Sequence, residues 1–135
     1  MYLGLGSNLG SRARNLSAAR RRLRQRGMRI LRQGRVMETE PWGVTEQPRF
    51  LNQVLEGEWS GTPRALLRLA KTVEREGGRR RTRRWGPRVI DVDILLFGDR
   101  RLRERDLVIP HPRIRERDFV VESLAELGIT PAGRW

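Results

Sequence analysis

Residues 89–97 read Val89-Ile90-Asp91-Val92-Asp93-Ile94-Leu95-Leu96-Phe97. The run is short, rich in β-branched and aliphatic side chains, and closed by Gly98-Asp99, so it predicts a strand followed by a turn. Successive side chains of a strand alternate between faces. Asp91 and Asp93 therefore point the same way, with α-carbons roughly 7 Å apart. Val89 and Leu95 share that face, while Ile90, Val92 and Ile94 bury the other. Two carboxylates projecting together from an apolar strand are costly unless they are paired or bound to a cation. At this spacing they suit Mg²⁺, including two ions that share carboxylates; on an edge strand they would instead pair with neighbouring arginines.

The residues just before this strand are cationic. Residues 79–88, RRRTRRWGPR, contain Arg79, Arg81, Arg84 and Arg88 among their arginines and no acid. Guanidinium groups beside paired aspartates suit a metal-bound triphosphate, because the metal bridges phosphate oxygens and the arginines take the rest. The same loop also suits a nucleic-acid patch, with Trp85 stacked on a base.

Strands and helices elsewhere do not alternate strictly. Tyr2–Gly6 is a short apolar strand, read as lying between edge and core. Residues 11–25 read as a helix with Ser11 as its cap, Leu16, Ala19 and Leu23 on one stripe, and Gly27 as its stop. Met28, Ile30 and Val36 suggest a second strand, residues 38–49 a long loop, and Phe50–Trp59 a third strand. Thr62 and Pro63 open a helix that runs to about Glu76 and stops at Gly77-Gly78. Residues 107–109 are extended, prolines 110 and 112 interrupt the chain around His111, and residues 116–127 form a last helix. This order predicts an α+β sandwich, a mainly antiparallel sheet with helices packed on it, built as a single domain over residues 1–135.

Composition narrows the class. The chain has 135 residues, a formal charge of +13, 37% hydrophobic residues and no cysteine. It can bury a core, and it lacks the ~18 apolar residues in a row that a membrane span needs, so a soluble, cytoplasmic protein with no membrane partner is expected. Without cysteine, and with His111 as the only histidine, thiolate and multi-histidine zinc sites are excluded. Residues 12–35 carry a second cationic block, which reads as solvated surface. Lys71 is the only lysine among 29 basic residues.

Three further motifs bear on function. Gly4-Leu5-Gly6-Ser7-Asn8-Leu9-Gly10 fails both the dinucleotide fingerprint and the P-loop, and reads as a tight strand-to-helix turn. His111, held between prolines, is either an ordinary structural residue or a hydrogen-bond donor beside phosphate. Thr39, Trp42, Phe50 and Asn52, with Phe119 later, combine aromatic faces with an amide that matches the edge of a flat heterocycle; the aromatics equally suit a core.

Taken in order, GLGSNLG, TEPWG, QPRFLNQV, GRRRTRRWGPRVIDVDILLFG and IPHPRIRERDFV resemble the 6-hydroxymethyl-7,8-dihydropterin pyrophosphokinase family over essentially the whole chain. The resemblance implies a ferredoxin-like fold and transfer of pyrophosphate from ATP to the pterin hydroxymethyl group, with release of AMP. It implies two Mg²⁺ ions on Asp91 and Asp93. Thr39, Trp42, Phe50, Asn52 and Phe119 would bind the pterin, the two phenylalanines stacking on its faces. Glu74, Arg79, Arg81, Arg84, Trp85, Arg88, Ile94, His111 and Arg117 would bind ATP, with Arg81 and Arg88 acting in catalysis and Arg88 nearest the transferred group. ATP and the pterin are then the partners of a monomer that does not bind nucleic acid. The alternative is a basic RNA-binding module without catalysis, against which the paired aspartates argue by repelling phosphate.

Overall fold

The structure is a computed structural model that describes residues 1–41, 46–78 and 88–130. Its sheet is built around Tyr2–Ser7 (β1), an interior strand rather than one between edge and core. β1 pairs antiparallel with Phe50–Glu58 (β4) on one side and Asp91–Leu96 (β5) on the other. Arg29–Gln33 (β2) and Met37–Thr39 (β3) both pair antiparallel with β4. The order is β2-β4-β1-β5, so β5 is an edge strand among the described residues. Helix Arg12–Gln25 (α1) connects β1 to β2, and helix Pro63–Glu76 (α2) connects β4 to β5. Each helix thus joins strands separated by a third, the split β-α-β arrangement of a ferredoxin-like α+β fold.

Alternation assigns the two faces. Leu3, Leu5, Leu55, Val92 and Ile94 join Leu16, Ala19 and Leu23 of α1 and Leu66, Leu69, Ala70 and Val73 of α2 in the larger core. The opposite face carries a smaller cluster in which Val54, Leu95 and Leu96 meet Val120 and Leu124 of helix Asp118–Glu126 (α3). The α1 stripe read from the sequence faces the core, and Thr62 caps α2 by accepting the Ala65 N–H at 3.1 Å.

Several local expectations are corrected. Ser11 makes no side-chain cap to α1; instead Asn15 donates to Ser7 Oγ and to the Leu9 carbonyl, tying the first turn to the end of β1. The second strand is two strands, because Gly34 lies against β4 and donates to the Val54 carbonyl at 2.7 Å, where a Cβ would meet that oxygen at 3.0 Å. Val36 lies outside both and is exposed, and the loop expected from residue 38 begins after Thr39. Gly4 and Gly6 do not form a turn but lie within β1; only Gly10 of that motif uses a left-handed backbone, at φ 73°. The last helix begins at Asp118, after a separate 3-10 turn at Ile114–Glu116. A two-stranded ribbon pairs Leu102–Arg103 (β6), which carries no alternating pattern and was not expected, with Val108–Ile109 (β7), which falls within the extended residues 107–109.

Candidate active site

The face of the sheet toward α3 is not filled along its length. Near the Ser7 end of β1 it opens into a cavity lined by Gly4, Gly6, Thr39, Phe50, Asn52 and, across the floor, Asp91 and Asp93. Arg88, Leu95, Arg117, Phe119 and Val120 complete the wall, together with Glu40 and Lys71. Strand register arranges these groups in rows. Gly6 pairs with Asn52 on one side and with Asp91 on the other, and Gly4 pairs with Val54 and with Asp93. Strands lie about 4.8 Å apart, so Asn52 and Asp91 flank a strip of bare backbone roughly 10 Å wide. The closeness is real: a Cβ on Gly6 would lie 3.0 Å from Asn52 Oδ1 and 3.5 Å from the Phe50 ring.

Each aspartate is met by an arginine. Arg88 Nη1 donates to Asp91 Oδ1 at 3.1 Å, and Arg117 Nη1 donates to Asp93 Oδ2 at 3.3 Å. The edge strand with arginine-paired acids is therefore visible, and the two acids also share one face of the cavity. Among the described residues no group of three or more His, Asp or Glu is arranged around a common metal position. Two carboxylate donors still fit a hard cation that keeps water and takes phosphate oxygens as its other ligands, the usual coordination of Mg²⁺.

Asn52 is buried and donates from Nδ2 to Thr39 Oγ1 at 2.5 Å. The other end of its amide has no partner among the described residues and borders the cavity. A buried amide satisfied at one end only is where a ligand's hydrogen-bonding edge belongs. Phe50 enters from β4 and Phe119 from the first turn of α3, so two aromatic rings line one space from different elements.

His111 lies outside the cavity lining but close enough to Asp93 and Arg117 to sense both charges. Its backbone N–H donates to the Leu95 carbonyl at 3.0 Å, and its Nδ1 accepts the Arg113 N–H at 3.1 Å. Burial holds the imidazole below its ordinary pKa; Asp93 opposes that shift, and Arg117 and Arg113 reinforce it. With Nδ1 occupied as an acceptor, Nε2 is the nitrogen that carries the proton of a neutral ring and can donate.

Three described residues assigned to the nucleotide side do not line the cavity: His111, Ile94 and Glu74. Ile94 is 5% exposed and packs into the larger core, on the face away from Asp93. Glu74 is 4% exposed; its Oε2 accepts the Val92 N–H at 2.8 Å, and Oε1 lies 3.6 Å from Lys71 Nζ. Trp42, Arg79, Arg81, Arg84 and Trp85 lie outside the described residues. Sequence reasoning passed over Gly4, Gly6, Glu40 and Lys71 as lining groups. The signals were present: glycines alternating with Leu3 and Leu5 in one strand, and one lysine in a chain otherwise given to arginine.

A family model described as 7,8-dihydro-6-hydroxymethylpterin-pyrophosphokinase matches residues 2–129. A 2-amino-4-hydroxy-6-hydroxymethyldihydropteridine pyrophosphokinase of Methylorubrum extorquens is 42% identical over 127 residues, covering 93% of this chain and 80% of that protein. The Bacillus subtilis protein of the same name is 42% identical over 127 residues, with 93% and 76% covered. A mitochondrial folate synthesis bifunctional protein of Arabidopsis thaliana is also 42% identical over 127 residues; the match takes 94% of this chain but only 23% of that relative.

Proposed function

The chain belongs to the 7,8-dihydro-6-hydroxymethylpterin-pyrophosphokinase family, and from that premise we propose that it transfers the pyrophosphoryl group of ATP to the hydroxymethyl group of 6-hydroxymethyl-7,8-dihydropterin. The pterin hydroxyl oxygen bonds to the β-phosphorus, the bond from that phosphorus to the α,β-bridging oxygen breaks, the hydroxyl proton is released, and AMP departs. The observation that carries this reading is the row Asn52–Gly6–Asp91 across three strands. An amide that can grip a ring edge and a carboxylate that can hold a metal–phosphate face each other over a floor with no side chain.

Roles follow from chemistry at each position. Phe50 and Phe119 stack on the ring, Asn52 takes its polar edge, and Thr39 orients the Asn52 amide through the bond they share. Trp42 adds to the pterin side by the family match. Asp91 and Asp93 would hold two Mg²⁺ ions, which would neutralise phosphate charge and acidify the hydroxyl. Arg88 and Arg117, now on the two carboxylates, are positioned to turn to phosphate oxygens, a bidentate interaction guanidinium suits. His111 donates from Nε2 to a phosphate oxygen. Arg79, Arg81, Arg84 and Trp85 extend the nucleotide side by the same match, with Arg81 and Arg88 next to the transferred group. Ile94 contributes through its backbone, and Glu74 through β5. Phosphoryl transfer depends mainly on positioning and charge neutralisation, so this set suffices without a dedicated His–carboxylate base.

The proposal extends to one domain acting as a cytoplasmic monomer without a nucleic-acid partner; among the described residues no helix is long and apolar enough to cross a membrane. The test is AMP formation from ATP and Mg²⁺ with and without the hydroxymethyl pterin. Pterin-dependent AMP is expected. Its absence from folded protein rejects the reading.

A further inference from the structure

The cationic block over residues 12–35 ends in an arginine that is more than solvated surface. Arg35 follows Gly34, whose N–H is fixed to the Val54 carbonyl at 2.7 Å, so its backbone is held against β4. From there its side chain crosses to α3. Nε donates to both carboxylate oxygens of Glu126, at 3.1 and 2.9 Å, and Nη2 donates to Glu122 Oε1 at 2.9 Å. On the same helix the Oγ of Ser123, 1% exposed, donates to the thioether sulfur of Met37 on β3 at 3.3 Å. Residues 119, 122, 123 and 126 fall at i, i+3, i+4 and i+7, one stripe of the helix. The side of α3 that Arg35 and β3 grip is therefore the side that carries Phe119.

That grip decides what the apolar contacts leave open. Val120 and Leu124 seat α3 on Val54, Leu95 and Leu96, which fixes its height above the sheet. A helix of nine residues on an apolar bed is still free to roll and slide, and this one has no side-chain cap at its N-terminus. Its last turn holds no basic residue, so acids toward the negative end of its dipole are unfavourable unless a cation answers them from outside. Arg35 answers both, from a fixed point on the sheet. We propose that Arg35 is a positioning residue: it sets the roll of α3, and with it the gap between Phe119 and Phe50 that receives the pterin ring. This rests on the pyrophosphokinase reading above. The two walls of the gap share one support, because β3 pairs Thr39 with Phe50 of β4 and meets α3 at Met37. Arg35 itself does not line the cavity. Arg117, at the head of α3, reaches Asp93 through a long side chain that absorbs a small roll, whereas a stacked ring does not. The effect therefore falls on the ring site.

Arg35→Ala in the full chain tests this, read by pterin-dependent AMP formation with each substrate varied in turn. The pterin KM is expected to rise about 2–5-fold, the range that loss of an exposed ion-pair network allows, while the ATP KM and kcat stay unchanged. Glu122→Ala combined with Glu126→Ala removes the same grip from the helix side and should match it. All three substitutions together should then add nothing further, as expected of groups that act through one contact. A residue that serves only the fold would lower the melting temperature and leave both KM values in place, or shift both alike. Should Arg35→Ala fail to fold, the glutamate pair carries the test by the same split. An unchanged pterin KM in the folded variant, a rise shared equally with ATP, or effects of the two sides that simply add overturns the positioning role and leaves the reading of the reaction standing. An unaltered chain that makes no pterin-dependent AMP removes the reading and the positioning role with it.

Discussion

Glu74 allows the sharpest test of how the fold serves the site. Its buried carboxylate accepts the N–H of Val92, the residue between Asp91 and Asp93 on the edge strand. Glu74→Ala leaves that N–H without its acceptor, at a cost of about 1–3 kcal/mol. For a chain of this length each kcal/mol lowers the melting temperature by roughly 4 °C, so a drop of about 4–12 °C is expected. The kinetic consequence follows from position: loosening β5 at Val92 removes the fixed spacing of the two aspartates, and a misplacement of about 1 Å costs up to ~10²-fold in rate. Glu74→Gln is the control. It retains a carbonyl to accept the Val92 N–H and gives up its charge, of which the pair with the exposed Lys71 ammonium is worth less than about 1 kcal/mol. Thermal melts and pterin-dependent AMP formation should therefore place Glu74→Gln near the unaltered chain and Glu74→Ala well below it. If the glutamine variant falls as far as the alanine variant, charge rather than the accepted N–H is what matters and the reasoning fails; an alanine variant that melts with the unaltered chain refutes it as well.

Asp93→Asn should cut pterin-dependent AMP formation by orders of magnitude while leaving the melting temperature within a few degrees, since the partly exposed pair with Arg117 is worth at most about 1 kcal/mol; wild-type turnover would remove the metal role. Chelation of divalent cations should abolish AMP formation and added Mg²⁺ restore it, while circular dichroism stays unchanged. Gly6→Ala should raise the pterin KM more than the ATP KM, because its Cβ crowds the Asn52 amide and the Phe50 ring; equal changes in both would argue against a pterin floor at β1. Acid should weaken the fold through Glu56, whose carboxyl is held down to about 2 by hydrogen bonds from Arg32 and then from Tyr2. A depressed folded-state value means stability that is present above the ordinary carboxylate range and is lost as pH falls from about 4.5 to about 2. Glu56→Gln should flatten the melting curve over that window.

The parts of the fold that sequence disclosed are those with strong periodicity. α1 and α2 declare themselves by stripes of Leu and Ala, and β5 by unbroken aliphatics around two acids. β6 has two residues and a charged neighbourhood, so no pattern could mark it. The break between β2 and β3 depends on Gly34 meeting the Val54 carbonyl, a contact between distant residues that no local window contains. The same division runs through the site. Asp91 and Asp93 were legible because strand alternation is a local rule. Arg35 was not, because its role comes from partners at positions 122 and 126. Glu74 is placed with the nucleotide by resemblance alone; its bond to the Val92 N–H joins residues 18 positions apart, which no local pattern could show.

One consequence of alternation ties stability to chemistry. In β1, Leu3 and Leu5 fill the larger core while Gly4 and Gly6 form the cavity floor, so the two sets exchange faces if the strand slips by one residue. A slip would expose two buried leucines, each worth about 1.5–3 kcal/mol, and would drive Leu side chains into the space between Asn52 and Asp91. The register that keeps the core dry is therefore the register that keeps the floor bare. The edge position of β5 completes the arrangement: it frees one flank of the aspartate strand for groups that are not strands, so that Glu74 can hold its backbone from one face while Arg117, at the start of α3, reaches Asp93 from the other. Precision at the aspartates comes from the buried leucines and the Glu74 bond, and access to them comes from the missing strand and the missing Cβ atoms.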